Sequence, residues 1–172
     1  MSRYALLLST MAALALAQPA SAREYFIGGP VHKNDMEIVA NYLVGINMAP
    51  MTANMVMSGP DVVHIEADVH ATADNKWGYP DGAWIAYLKI DYTIEKLGTN
   101  WKASGTLKAM QAKDGSHYAD NLKLNGAGRY KLTYNFTSPE ANGFLHHTDK
   151  ETGIPAFWKP FSQDFTFSYP QK

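Results

Sequence analysis

Hydrophobic and polar residues alternate with a period of two through most of this chain. The clearest stretch is Asp61-Val-Val-His-Ile-Glu-Ala-Asp-Val-His70. Val63, Ile65, Ala67 and Val69 share one side, and His64, Glu66, Asp68 and His70 share the other. Successive strand side chains point to opposite faces, so the pattern predicts a strand with one apolar face and one face of imidazoles and carboxylates. A half-solvated antiparallel strand also alternates in this way. Its wet face, however, is normally built from Lys, Thr, Ser and Glu rather than His-x-Glu-x-Asp-x-His.

The same period recurs along the chain. Ile38, Ala40, Tyr42, Val44, Ile46 and Met48 define one strand, and Trp84, Ala86, Leu88, Ile90, Tyr92 and Ile94 another. Trp101, Ala103, Gly105, Leu107 and Ala109 return from the second of these as a hairpin. His117 to Leu124, Tyr130 to Phe136, and Phe161 to Tyr169 complete the set. Gly, Pro, Asn and Asp punctuate the gaps, notably at residues 72–82, at Gly98-Thr99-Asn100, at Asp114-Gly115 and at Asn125-Gly126. Residues 24–34, with Gly28-Gly29-Pro30, read as an extended arm, and 139–160 as a long irregular connection. No helical period of any length is present. About seven strands predict an all-β, immunoglobulin-like antiparallel β-sandwich, with the aromatic residues as its core.

Residues 1–22 stand apart. Arg3 precedes a Leu/Ala-rich run that ends in Ala20-Ser21-Ala22, the form of a cleaved secretory signal peptide. The run is short for a membrane span. Residues 23–172 are then expected to form a single exported domain. That part carries 14 Lys+Arg against 16 Asp+Glu, too even a balance to mark a nucleic-acid or anionic-lipid surface. Cysteine is absent, so no disulfide framework supports the fold. Any soft metal ligand must be methionine, and Met48, Met51, Met55 and Met57 fall within ten residues. Thioethers favour soft ions such as Cu(I), although the same cluster suits adaptable packing or a partner-facing patch.

Two further segments offer ligands: Met110-Gln-Ala-Lys-Asp-Gly-Ser-His117, and His146-His147 within Gly143-Phe-Leu-His-His-Thr-Asp-Lys-Glu-Thr-Gly153. Met110 falls on the outward side of its strand, where it is poor core filler. Several enzyme classes are excluded by their motifs: there is no His-Glu-x-x-His, no phosphate-cradling glycine loop, no Gly-x-Ser-x-Gly, and no Cys nucleophile or haem-attachment pair.

Taken together and in this order, Val63 to His70, the Met110…His117 spacing and the Gly143 to Gly153 run resemble the periplasmic iron-transport proteins that work beside Ftr-type iron permeases. The similarity runs from Glu24 to the Pro160-Phe161 ending. It implies a non-enzymatic, dimeric β-sandwich protein in which copper is often found bound. It also implies a metal site of Met110, His117, His147, His64 and Glu66, with an adjacent carboxylate site of Glu24, Glu66 and Asp114. His146 and His147 stand where one ligating histidine is usual, and His147 is the one assigned. The expected function is periplasmic binding of iron (and copper) in a high-affinity iron-uptake system, with delivery to the inner-membrane permease. The alternative is a periplasmic copper-handling or copper-tolerance protein that also uses the methionine cluster. A superoxide-dismutase-like enzyme needs more histidines around its copper and an open substrate position. Neutral imidazole ligands predict an affinity that falls as pH drops through about 6.5.

Overall fold

The computed structural model describes residues 23–51, 56 and 59–171; the signal-peptide assignment, Met55 and Met57 lie outside the described residues. The strands are β1 (Tyr25–Lys33), β2 (Met36–Leu43), β3 (Val62–Ala71), β4 (Lys89–Lys96), β5 (Lys102–Thr106), β6 (Lys108–Gln111), β7 (Ser116–Lys123), β8 (Gly128–Thr137) and β9 (Phe161–Tyr169). They form two antiparallel sheets, one ordered β1-β2-β3-β7-β6 and the other β5-β4-β8-β9. The β-sandwich expected from the alternation is the observed fold. Among the described residues the only helical segment is a 3-10 turn at Pro139–Asn142.

The core lies between the sheets and is set by the period of two. Ile38, Ala40, Val63, Ile65, Ala67 and Val69 face inward from one sheet, and Ile90, Ile94, Leu132 and Phe136 from the other, all fully buried. Of the aromatic residues expected in the core, Tyr42, Tyr92, Tyr134 and Phe165 are buried, while Trp84 and Trp101 pack against it partly buried; Tyr42, Tyr130 and Tyr134 are essentially inaccessible, and their rings pack against Phe165 and Phe167 of β9. Tyr134 also donates its hydroxyl hydrogen across the sandwich to the backbone oxygen of Glu66 (3.0 Å), which ties the second sheet to the middle of β3.

Nine strands replace the expected seven for identifiable reasons. The supposed arm at residues 24–34 is β1, paired with β2 through register shifts between Phe26, Gly28 and Val31. Such bulges erase the alternation that announces a strand. The segment from Trp101 to Ala109 alternates without interruption yet is two strands. β5 pairs with β4, the chain crosses at buried Leu107, whose N–H donates to the Ile90 oxygen (2.9 Å), and β6 then joins β7 in the opposite sheet. The strand expected from Trp84 begins only at Lys89. Before it, Trp84 makes an isolated bridge to His70, and Tyr87 turns the chain with φ of 63°. Likewise β2 ends at Leu43. Gly45, at φ 73°, bends the following residues away from the sheet, a conformation open to glycine without strain.

Candidate metal centre

The outer face of the five-stranded sheet carries the site, and strand register assembles it. His64 faces Asn121, and Glu66 faces Ala119, across β3 and β7. Met110 faces His117 across β6 and β7. Directly opposed residues in an antiparallel pair project to the same side. His64, Glu66, His117, Asn121 and Met110 therefore share one face, opposite to the buried Val63, Ile65 and Tyr118. The Asp114-Gly115 turn closes the β6–β7 hairpin, with the Ala112 N–H donating to the Gly115 oxygen (2.9 Å), and so holds Met110 against His117. Ala119 sits between His117 and Asn121 on β7, and its single methyl leaves room in front of Glu66.

A cleft of about 540 Å³ opens over this face. His64, Glu66, Met110, His117 and Asp114 line one part of it; Leu43 at the end of β2, and Ile46, Met48, Ala49 and Pro50 from the segment after Gly45, line another. The side-chain donors of His64, Glu66 and His117 all lie within 4.8 Å of one another, close enough to share one ion. The His64 and His117 rings meet edge to face at 6.0 Å, and His117 Nδ1 is 3.5 Å from Glu66 Oε1. All three residues are buried.

Buried Asn121 orients the first of these ligands. His64 Nδ1 donates to Asn121 Oδ1 at 2.7 Å, which leaves the Nε2 lone pair for a metal. Burial also pushes the His64 pKa down, with the neighbouring His117 adding to the effect against the Asn121 hydrogen bond, so the ring stays neutral. Asn121→Ala is expected to weaken metal affinity by about 10–100-fold, as is usual for residues that only orient a ligand. Competitive titration with a chromogenic chelator measures it, and an unchanged affinity would show that His64 needs no such support.

The carboxylate set is adjacent. Glu24, Glu66 and Asp114 line a second pocket of about 220 Å³ together with Asp68, His70, Ser116 and His117. Asn41, opposite Glu66 on β2, donates its side-chain amide to Glu24 and to Asp68 Oδ2. Glu66, Asp114 and His117 border both cavities. Burial, followed by the charges of Asp68, Glu24 and Asp114, pushes the Glu66 pKa up to about 8. Burial also raises that of Asp68, which hydrogen-bonds to Glu66. Alternation along β3 placed Asp68 and His70 on this face; nothing in the sequence singled out Asn41 or Asn121, which reach the site only through long-range register.

His147 lies outside this cluster in its own chain. It sits exposed on the connection between the 3-10 turn and β9. Its Nδ1 lies 2.6 Å from Thr152 Oγ1, and that hydroxyl donates its own hydrogen to Asp149 Oδ2 (2.7 Å). Thr152 must therefore accept from His147, whose Nε2 lone pair is left facing solvent. His146 differs: its Nδ1 is 3.0 Å from Glu140 Oε1, and its ring packs edge-on against Phe157.

Comparison with known proteins gives consistent results. A family model described as an Fe2+ transport protein matches residues 21–170. A UPF0423 protein of Brucella abortus (strain 2308) is 41% identical over 159 residues, covering 91% of this chain and 87% of its own. The 34 kDa membrane antigen of Treponema pallidum (strain Nichols) is 30% identical over 150 residues, covering 83% of this chain and 71% of its own. Among solved structures, a copper-bound glutamate-to-glutamine variant of FetP from uropathogenic Escherichia coli strain F11 has a TM-score of 0.82 at 42% identity, covering 86% of this chain and 98% of its own. A copper-bound methionine-to-isoleucine variant of Campylobacter jejuni P19 has a TM-score of 0.82 at 37% identity, with the same coverage. The match over nearly the whole of residues 23–172 makes this chain a member of the Fe2+ transport protein family.

Proposed function

We propose that this protein is a periplasmic carrier that binds iron, and copper where copper is available, and passes iron to an Ftr-type permease of the inner membrane. The observation that carries the reading is the convergence of His64, Glu66 and His117 on one cleft that Met110 also lines. Two imidazoles, a carboxylate and a thioether form a mixed donor set that accepts copper and Fe(II) alike. Copper-bound forms of FetP and P19 fit the same reading. Copper occupancy after purification does not identify the cargo, since Cu2+ outranks Fe2+ at almost any nitrogen, oxygen and sulfur site.

Glu66 is the hinge of the proposed mechanism. It borders both the Met/His cleft and the carboxylate pocket with Glu24 and Asp114. By swinging between them it hands an ion from a soft donor set to a hard one, so the ion is released rather than trapped. Structures with and without metal test this motion; a single Glu66 rotamer in every state argues against it.

The working unit in this reading is a homodimer. Each cleft is open, and each chain presents a His147 whose Nε2 is free, so the fifth ligand comes from a second copy. Membership of the Fe2+ transport protein family favours carriage over catalysis. The copper-tolerance alternative draws on Met48, which lines the cleft, and on exposed Met51. A deletion strain complemented with the parent protein is expected to regain growth under iron limitation, and His117→Ala is expected not to restore it. Rescue that depends on copper stress instead would favour the alternative.

A further inference from the structure

Three strands of the five-stranded sheet carry a second group of ligand side chains that the cleft leaves unused. The β1–β2 hairpin turns through Asn34 (φ 49°) and Asp35 (φ 53°). Two consecutive residues of positive φ make the two-residue turn that pins hairpin register. Lys33 thus faces Met36, and His32 faces Glu37. On the other side of β2, Glu37 faces His70 of β3. The neighbouring Ile38 and Val69 are fully buried and fix the inner side. His32, Glu37 and His70 therefore stand in a row on the outer face. His32 Nε2 already lies 3.0 Å from Glu37 Oε2, and their side chains are 63% and 45% exposed.

We propose that His32, Glu37 and His70 form a second divalent-cation site. Two imidazole nitrogens and one carboxylate would hold a borderline ion such as Cu2+, Zn2+ or Ni2+, with the remaining positions open to water. Strands about 4.8 Å apart put the two histidine backbones roughly 10 Å apart, with the carboxylate midway. Among the described residues only His64, Glu66 and His117 have three such donors already gathered within 4.8 Å, so ion binding here turns His70, which lines the pocket beside Asp68, toward Glu37. In the metal-free protein a hydrogen bond joins His32 to Glu37, and the ion takes its place. His70 also lines the pocket with Glu24, Glu66 and Asp68, so this row is the next ligand group beyond the carboxylate pocket along β3. The site accounts for the two histidines, His32 and His70, that neither the cleft nor the 146–147 loop uses.

As an exposed pair, His32 and Glu37 contribute little to folding, so substitution of these two leaves the sandwich intact. The test is a titration of the protein with Cu2+, followed by calorimetry and electron paramagnetic resonance. The parent is expected to take up a tight equivalent in the cleft and a weaker one with imidazole-nitrogen coupling. The double variant His32→Ala/Glu37→Gln loses the weaker equivalent and keeps the tight one, and His32→Ala alone weakens it. Uptake of a single equivalent by the parent, or a weaker equivalent that survives the double substitution, overturns the proposal. Failure of the cleft reading is separable, because it is the tight equivalent that His117→Ala removes.

Discussion

Glu66→Gln is expected to stabilise the metal-free protein, by an amount that grows with pH. In the unfolded chain the carboxyl titrates near its ordinary value of 4.5; in the fold it is pushed up to about 8, by burial first and then by Asp68, Glu24 and Asp114. A raised carboxyl pKa means that the native state holds the proton more tightly. Its contribution is therefore fully present below about 4.5 and is lost as pH rises toward 8, at roughly 1.4 kcal/mol per pH unit. Glutamine keeps the neutral shape and removes that loss. Because Asp68 shares the proton, we expect a gain of about 2–4 kcal/mol at pH 8 and little difference at pH 4. For a chain of this size that corresponds to roughly 5–10 °C in melting temperature. Thermal unfolding of both proteins across pH 4–8 reads it directly, and parallel curves would contradict the burial argument.

The same carboxyl is expected to set the pH dependence of metal binding. In the proposed site the ion is held with Glu66 ionised, so uptake near neutral pH is expected to release a proton, and affinity to climb from pH 5 to 8. The imidazole argument from sequence gives the same direction, but burial keeps His64 neutral to lower pH than its ordinary value. The steepest change therefore belongs to Glu66. Calorimetry in buffers of different ionisation enthalpy measures the released proton.

His117→Ala is expected to have the largest effect on binding. His117 is buried, lies within ligand distance of both His64 and Glu66, and borders both cavities. In the proposed site its loss removes a ligand rather than the support of one. Affinity should fall by roughly 100-fold or more, beyond the range seen when only ligand orientation is lost. Met110→Leu gives the complementary result. Leucine conserves volume and apolar character, so the fold tolerates it, but the thioether is gone. Cu(I) affinity should fall far more than Fe(II) affinity, because sulfur is a soft donor. Equal losses for both ions would place Met110 outside the ligand set.

Much of the fold could be read because the period of two runs almost uninterrupted through β2, β3, β4, β7, β8 and β9. What alternation does not encode is which sheet a strand joins. Residues 101–109 keep their parity straight through Leu107, so one strand and two strands in different sheets look identical in sequence. β1 was hidden for the opposite reason, since Gly28-Gly29-Pro30 and its bulges break the pattern. In the site, alternation marks His64 and Glu66 on the polar side of their strand and Met110 on the outward side of its own, while their grouping with His117 as a ligand set rests on the resemblance; register brings the four to one face. Asn121 and Asn41 were not legible, because only the pairing of strands far apart in sequence brings them beside His64 and Glu24. The choice of His147 over His146 rests on the resemblance alone, and the structure places it on an exposed loop rather than in the cleft of its own chain.

The central claim is that one ion sits on the outer face of the five-stranded sheet, held jointly by β3, β6 and β7. Anomalous diffraction from crystals loaded with copper, and separately with iron, locates that ion most directly. The account predicts a peak in the cleft within bonding distance of the His64 and His117 imidazoles, beside Met110 and Glu66. A peak elsewhere, with those four side chains unmoved from their metal-free positions, would contradict it.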